Sequence, residues 1–279
     1  TLKKTVRWVV GIVLGVYIGT IVLLNIPNIQ QAMSVFVAEE LSEVLNTKVV
    51  IGRINMGLLN RIIIDDVLLD DQSGQEMLKV TRLSAKFDIM PFFKGKISIS
   101  SVQLFGFNIN LRKETPDSPP NFKFVLDAFA SKDTVKKENS LDLRINSILI
   151  RRGRMSYHVL SEEETPGKFN AKHIQLQNII ANISLKALSK DSLNLGIKRL
   201  SLDEKASGFS LKKMSLKLVA NNKQTNIDNF TIELPETSLK LDTIHLEYDS
   251  LKAFDRFTEQ VHFSFRTLPS QVTLKDISP

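Results

Sequence analysis

Residues 174–185 read Ile-Gln-Leu-Gln-Asn-Ile-Ile-Ala-Asn-Ile-Ser-Leu, with an apolar side chain at almost every second position. A two-residue period places apolar side chains on one face of a β-strand and polar side chains on the other. The same pattern returns at Met214–Leu218, Phe230–Leu234 and Ile244–Tyr248, about every 15 residues. The chain from residue 141 onward therefore predicts an antiparallel sheet with one apolar and one solvated face.

The preceding part of the chain, from Lys48, has the same period with more interruptions. Asp71–Gly74 has the residue types of a turn. Near Gly106 the apolar positions change from even to odd numbers, which predicts a bulge there. Residues 113–121 are predicted to form a loop, and Phe122–Phe129 a short amphipathic helix.

An apolar segment precedes the sheet. Trp8–Leu24 carries no charge, and at ~1.5 Å per residue a helix of this length nearly spans a ~30 Å hydrocarbon core. Basic residues stand before it and none follows until Lys48, so the positive-inside rule places the N-terminus in the cytoplasm. A cleaved signal peptide shares these features, but Asn25–Asn28 offers no small-x-small cleavage site, which favours an uncleaved anchor.

Glycines recur along this segment, and a second helix follows it. The four-residue spacing of Gly11, Gly15 and Gly19 suits association between membrane helices, although glycine is also common in such helices generally. Asn28–Leu45 has a 3.6-residue period and predicts an amphipathic helix that stops near Asn46. Its polar face is acidic, which disfavours adsorption to anionic lipid, so we expect it to pack on the β-structure.

The composition argues against several classes of function. The 279 residues carry a net charge of +7, and this charge is spread along the chain, whereas nucleic-acid-binding domains concentrate charge on one surface. The chain has no cysteine, which excludes disulfides, thiol nucleophiles and thiolate metal sites. It also has no Gly-x-Ser-x-Gly elbow and no glycine-rich phosphate loop. We therefore predict no nucleic-acid partner, no cofactor, no catalytic residue and no enzymatic activity.

Candidate ligands for ions are few. The four histidines lie far apart in the sequence and lack a metal-binding spacing, so a structural role is predicted for each and no metal site is expected: they are His158, His173, His245 and His262. The densest basic cluster is Arg151, Arg152 and Arg154. It suits either a phosphate headgroup or the solvated end of a strand.

The architecture depends on what covers the apolar face. A β-sandwich requires a second sheet, and no long helical pattern follows Leu45. The alternative is one long sheet, curved into an open groove whose apolar floor is covered by hydrocarbon, with about 0.8 kcal/mol gained for each methylene buried. Base rates favour the sandwich, whereas the repetition and the membrane anchor favour the groove.

Several segments resemble a known family. Behind the basic tail and the two helices come Leu45–Ile54, Arg61–Val67, Gly95–Leu104 and Ile148–Tyr157. Together they resemble the N-terminal region of the TamB family, the AsmA-like translocation and assembly module proteins, in the form found in Bacteroidota. Residues 114–119 and 124–129 also fit that form. The resemblance covers essentially the whole chain, and its motifs are patterned rather than chemical.

The resemblance implies a single-pass inner-membrane protein of a Gram-negative bacterium, with a mainly β, groove-shaped body in the periplasm. It implies phospholipid cargo moving between the two membranes or, alternatively, assistance to the assembly of outer-membrane β-barrel proteins. A BamA-type barrel is the implied partner, through a C-terminal region outside this chain. The expected segments are residues 1–27 (tail and transmembrane anchor), 28–46 (amphipathic helix), 47–130 (first β segment), 131–140 (linker) and 141–279 (repetitive groove continuing past the chain end).

The groove floor is expected to consist of alternating apolar side chains that contact acyl chains. The predicted floor residues are Val49, Ile51, Phe87, Ile97, Ile99, Phe105, Phe107, Ile109, Ile174, Leu176, Leu216, Leu218, Ile232, Leu234, Leu246 and Tyr248.

Overall fold

The computed structural model describes residues 2–57, 60–88, 97–130, 141–142, 146–188 and 192–276. The helices are α1 (Leu2–Leu24), α2 (Pro27–Leu45), α3 (Lys123–Ala130) and α4 (Phe257–Gln260), with 3-10 turns at Leu251–Arg256 and Leu274–Asp276. The strands are β1 (Val49–Gly57), β2 (Arg61–Asp70), β3 (Glu76–Phe87), β4 (Ile97–Lys113), β5 (Leu141–Asp142), β6 (Ser147–Val159), β7 (His173–Leu188), β8 (Ser192–Glu204), β9 (Ser210–Asn221), β10 (Gln224–Glu233), β11 (Ser238–Tyr248) and β12 (Val261–Thr267).

The protein is mainly β, as predicted. The described strands belong to one open sheet, and their order in the sheet follows the sequence from β1 to β12. The exception is β5, which lies outside this order and pairs with β4. Among the ladders that the structure describes, β4 runs parallel to β5 and β6, and the others are antiparallel. The predicted large, mostly antiparallel open sheet is thus confirmed.

The chain divides into two compact units. Unit 1 consists of Thr1–Ser100 and Phe122–Leu143, and unit 2 consists of Ser101–Asn121 and Arg144–Pro279. The predicted linker at residues 131–140 lies outside the described residues.

Helix α1 of unit 1 is long and apolar. Thr5–Leu24 has a mean hydropathy of 2.1, and none of it is buried within the protein. Among the described helices it is the one able to cross a membrane by length and composition, although signal sequences have the same properties. Beyond its end, the Asn25 side-chain amide donates hydrogen bonds to the carbonyl oxygens of Ile21 (2.8 Å) and Met56 (2.9 Å), which ties the helix to β1.

Helix α2 covers the apolar face of the first strands. Pro27 occupies its first turn, where a backbone N–H has no helical acceptor, and Asn46 ends it in the left-handed conformation at φ 48°. The core beneath the helix consists of Leu45, Val49, Ile51, Ile54, Leu69 and Met77, with side chains of α2 and α3 packed against it. The predicted second helix, its stop at Asn46 and its packing on the β-structure are confirmed.

This packing shows that two residues predicted to line the groove floor, Val49 and Ile51, are covered by protein. Val49 and Ile51 are each only 8% exposed, because α2 covers their face of the sheet. They therefore belong to a closed protein core, and we remove them from the surface expected to contact lipid.

Candidate functional site

One face of the unit 2 sheet is lined by apolar side chains in rows that cross the strands. Residues directly opposite each other in a ladder lie on the same face, so the register assigns each side chain to a face. The longest row crosses seven strands, β4 and β6–β11, through Leu104, Ile150, Ala181, Leu200, Met214, Ile232 and Leu239.

Further rows run on either side of it. One crosses β4 and β6–β9 through Val102, Ile148, Ile183, Ile197 and Leu216. Another crosses β7–β12 through Leu185, Leu195, Leu218, Ile227, Ile244 and Phe265, with Leu246 and Phe263 beyond it. Toward the opposite strand ends lie Ile109, Met155 and Leu176, then Leu111, Tyr157 and Ile174. We call the residues of all these rows the apolar face.

Three aligned irregularities keep this face apolar along the strands. Gly106 in β4, Arg152 in β6 and Asn178 in β7 all have positive φ, at 63°, 56° and 55°. At each one the alternation slips by one residue, so that apolar side chains at odd positions take over from those at even positions, or the reverse. The irregularity predicted near Gly106 is confirmed, and it is matched in the next two strands of the sheet, β6 and β7, which a bulge in a single strand does not require.

Contacts on both faces of the sheet stabilise these three irregularities. Gly153 follows Arg152, and the Phe107 ring lies directly over it, in the space that a Cβ atom would occupy. On the other face, the Asn178 side-chain amide donates a 2.8 Å hydrogen bond to Asp203. Hydrogen bonds from Asn178 and Ser210 hold the pKa of Asp203 below its ordinary value, so the carboxylate stays charged and fixed.

The apolar face is only partly shielded. In the first three rows every side chain is half-buried, apart from the buried Ala181 and the exposed Phe265. Helical residues in the described part of unit 2 occur only at Leu251–Gln260 and Leu274–Asp276, near the last strands. In unit 1, by contrast, helices cover the equivalent surface and bury its central residues to less than 9% exposure. The apolar face of unit 2 has no comparable layer within the described residues.

The opposite face of the unit 2 sheet is polar, and Phe105, which was predicted to line the groove floor, lies on it. Leu104 belongs to the apolar face, so its neighbour Phe105 points the other way, where its register partner is Arg151. Phe105 is 38% exposed, and the Arg152 guanidinium lies 5.1 Å above its ring centre. The arginine cluster therefore lies on the solvated side of a strand, and one member forms a cation–π contact.

Seven predicted floor residues belong to the apolar face: Ile109, Ile174, Leu176, Leu216, Leu218, Ile232 and Leu246. Phe107 lies on the same side of the sheet but packs over Gly153 and is only 7% exposed. Phe87 ends β3 and Ile99 lies in β4, both half-buried, while Leu234 follows β10. The side chain of Ile97 lies outside the described residues. Leu195, Ile197 and their neighbours also lie on this face, and only the strand register shows it.

Tyr248 closes the apolar face rather than lining it. It is 5% exposed and forms a small core with Ala253 and Val261. Its hydroxyl lies 2.9 Å from the Thr225 hydroxyl and donates a 2.7 Å hydrogen bond to the carbonyl oxygen of Asn221. We therefore assign Tyr248 a structural role at the end of β11.

The remaining residues singled out in the sequence are the glycines of α1 and the histidines. A Cβ atom placed on Gly11, Gly15 or Gly19 meets nothing within 4 Å, so this helix face is free of contacts with the described protein. The β6–β7 connection brings His158 and His173 together, with their Nδ1 atoms 3.0 Å apart. Sequence separation gave no sign of this pair.

No protein-family model and no curated protein matches the chain.

Proposed function

We propose that this protein is anchored in the inner membrane by α1 and conducts phospholipid along its β-sheet through the periplasm. The observation that carries the proposal is the apolar face of unit 2, which lacks a covering layer of helices within the described residues. Burial of one Leu or Ile side chain is worth about 1.5–3 kcal/mol, so a surface of many such residues favours an apolar partner.

Acyl chains match this surface in chemistry and in length. A row across seven strands extends about 29 Å at ~4.8 Å per strand, more than the roughly 15 Å that an acyl chain occupies in one leaflet. Each methylene transferred from water to this face gains about 0.8 kcal/mol. Headgroups remain in water at the margin, and such passive transport requires no nucleophile or cofactor.

The N-terminal segment and the family resemblance support the same proposal. An apolar helix preceded by basic residues suits a single-pass anchor with a cytoplasmic N-terminus. The resemblance to the TamB family implies a periplasmic β-groove, and a largely uncovered apolar sheet is the feature that such a groove requires.

Site-specific photo-crosslinking in cells tests the proposal. Crosslinking residues at Leu218 and Ile232 lie on the apolar face, whereas those at their neighbours Val219 and Thr231 lie on the polar face. Phospholipid adducts are expected at the first pair and not at the second, although Val219 is 47% exposed. Equal capture on both faces, or capture of protein alone, contradicts lipid conduction.

A second function, assistance to outer-membrane β-barrel assembly, is favoured by the edge strand β12. In the described residues its sheet neighbour is β11, and six of its seven residues are exposed. An open edge can pair with a client strand through backbone hydrogen bonds. This hypothesis predicts crosslinks from Ser264 to barrel proteins, with none from Ile232, and it includes a BamA-type barrel as the partner.

A further inference from the structure

The hairpin of β6 and β7 places three potential metal ligands at one point of unit 2. His158 and His173 are direct register partners near the end of the ladder. Glu164 lies in the connection between the two strands. Its Oε1 atom is 3.8 Å from Nδ1 of His158 and 4.0 Å from Nδ1 of His173, and the two Nδ1 atoms are 3.0 Å apart.

These distances fit a metal ion bound by all three atoms. The circle through the corners of a triangle with sides of 3.0, 3.8 and 4.0 Å has a radius of about 2.1 Å. Zinc binds imidazole nitrogen at ~2.0–2.1 Å and carboxylate oxygen at ~2.0–2.2 Å. One position in the plane of these atoms therefore lies at coordination distance from both imidazole nitrogens and the carboxylate oxygen, and a small shift out of that plane makes room for a fourth ligand.

The outer nitrogen of His173 is held in the way that metal-binding histidines require. Its Nε2 atom lies 2.9 Å from the carbonyl oxygen of Glu162. A carbonyl oxygen only accepts hydrogen bonds, so Nε2 carries the proton and Nδ1 of the neutral ring presents a lone pair toward Nδ1 of His158, where a metal ion would take the place of the shared hydrogen bond. Metal ligands commonly use this arrangement, because the outer hydrogen bond fixes both the tautomer and the ring orientation.

The surroundings leave room for a further ligand. The side chain of His173 is 8% exposed, that of His158 24% and that of Glu164 63%, so the ligand set is open on the carboxylate side. A cavity of about 240 Å³ lined by Glu164 and His173 adjoins it. Nearby, Glu162 pairs with Lys172 at 2.7 Å and is not needed as a ligand.

We propose that His158, Glu164 and His173 bind a divalent transition-metal ion of the zinc type, with water as the fourth ligand. Two imidazoles and one carboxylate suit zinc or cobalt, whereas magnesium and calcium prefer oxygen ligands alone. The ion fastens the β6–β7 connection to its strands. This inference is independent of lipid conduction, since it concerns a strand connection and none of the residues of the apolar face.

Cobalt binding to the detergent-purified full chain, prepared without a histidine tag, tests the site. Cobalt is a spectroscopic substitute for zinc, and tetrahedral N/O coordination is expected to give intense visible absorption. His158→Gln and His173→Gln are each expected to weaken cobalt binding by at least about tenfold, the lower end of the cost of losing even an outer-shell partner. His262→Gln, on exposed β12, is the matched control and is expected to bind as wild type does.

Glu164→Gln keeps the test decisive if a histidine variant unfolds. Glu164 is exposed, so its substitution leaves the fold intact while replacing the charged carboxylate ligand with a neutral amide. The site is supported if this variant binds cobalt more weakly than wild type and if added zinc displaces the bound cobalt. If wild type gives no such absorption, the two histidines share only a hydrogen bond. The same conclusion follows if Glu164→Gln and a folded histidine variant both bind cobalt as wild type does.

Discussion

A single carboxylate on the apolar face should disrupt lipid binding, whereas the same group one residue earlier should not. Leu216 lies in a row with Ile197 and Ile183, while Ser215 points to the polar face opposite Thr231. Both are half-buried in β9. Leu216→Asp and Ser215→Asp introduce the same charge and the same short side chain, so they differ mainly in the face that carries it.

The expected size of the effect follows from strand spacing. A strand spacing of ~4.8 Å accommodates roughly four methylenes of an acyl chain lying along a row. Displacing them from the face costs about 3 kcal/mol at ~0.8 kcal/mol each, and every 1.4 kcal/mol corresponds to a tenfold change in affinity. Leu216→Asp is therefore expected to weaken phospholipid binding by about 100-fold.

Titration of the detergent-purified variants with a fluorescent phospholipid measures this change, with circular dichroism as the check on folding. Ser215→Asp is expected to stay within about threefold of wild type, the scatter of a surface substitution. If a folded Leu216→Asp variant binds as wild type does, or if both variants lose affinity equally, the apolar face is not where acyl chains bind.

Three further predictions concern packing, pH and topology. Gly153→Ala places a Cβ atom 2.5 Å from Cε1 of Phe107, so urea unfolding should show a free energy of unfolding lowered by about 1–3 kcal/mol. Adding Phe107→Leu should restore part of this loss, because the smaller side chain relieves the overlap. Additive effects of the two changes argue against the contact. Burial raises the pKa of Glu204, but hydrogen bonds from Ser207, Gln175 and Ala206 outweigh this and lower it overall. Its stabilisation is therefore complete above the unfolded pKa of ~4.3 and is lost as the pH falls through the lower folded value, so Tm should fall less between pH 7 and pH 3 in Glu204→Gln than in wild type; equal decreases contradict this. Because the chain has no cysteine, Lys3→Cys and Asp117→Cys report topology directly: an impermeant maleimide should label position 117 from the periplasm and position 3 only after membrane disruption, and the reverse pattern contradicts the orientation.

Periodicity predicted the strands well because alternation is a local property. The run at Ile174–Leu185 indicated a strand with one apolar face, and it lies in β7. The end of α2 at Asn46 was also predictable, because asparagine tolerates the left-handed conformation. These features depend on a few neighbouring residues, and the sequence shows them directly.

The assignment of side chains to faces depends on information that is not local. Phe105 and Phe107 are two residues apart, yet Gly106 at positive φ turns them to opposite faces. Val49 and Ile51 alternate like groove residues, but a helix from an earlier segment covers them. Neither the exact slip nor the covering partner can be read from hydrophobic period alone.

The histidine pair shows the same limit for chemistry. His158 and His173 stand fifteen positions apart and have no motif spacing. A hairpin register pairs them, and a carbonyl oxygen in the connection fixes one ring. Such a constellation becomes visible only when the strand register is known.

In the proposed function, the apolar face of unit 2 carries hydrocarbon. Native mass spectrometry of the wild-type chain purified in mild detergent tests it most directly, with Leu216→Asp measured in parallel. We predict wild-type protein with phospholipid bound and a variant from which that lipid is lost. A wild-type spectrum free of phospholipid, or equal lipid on both proteins, would contradict the claim.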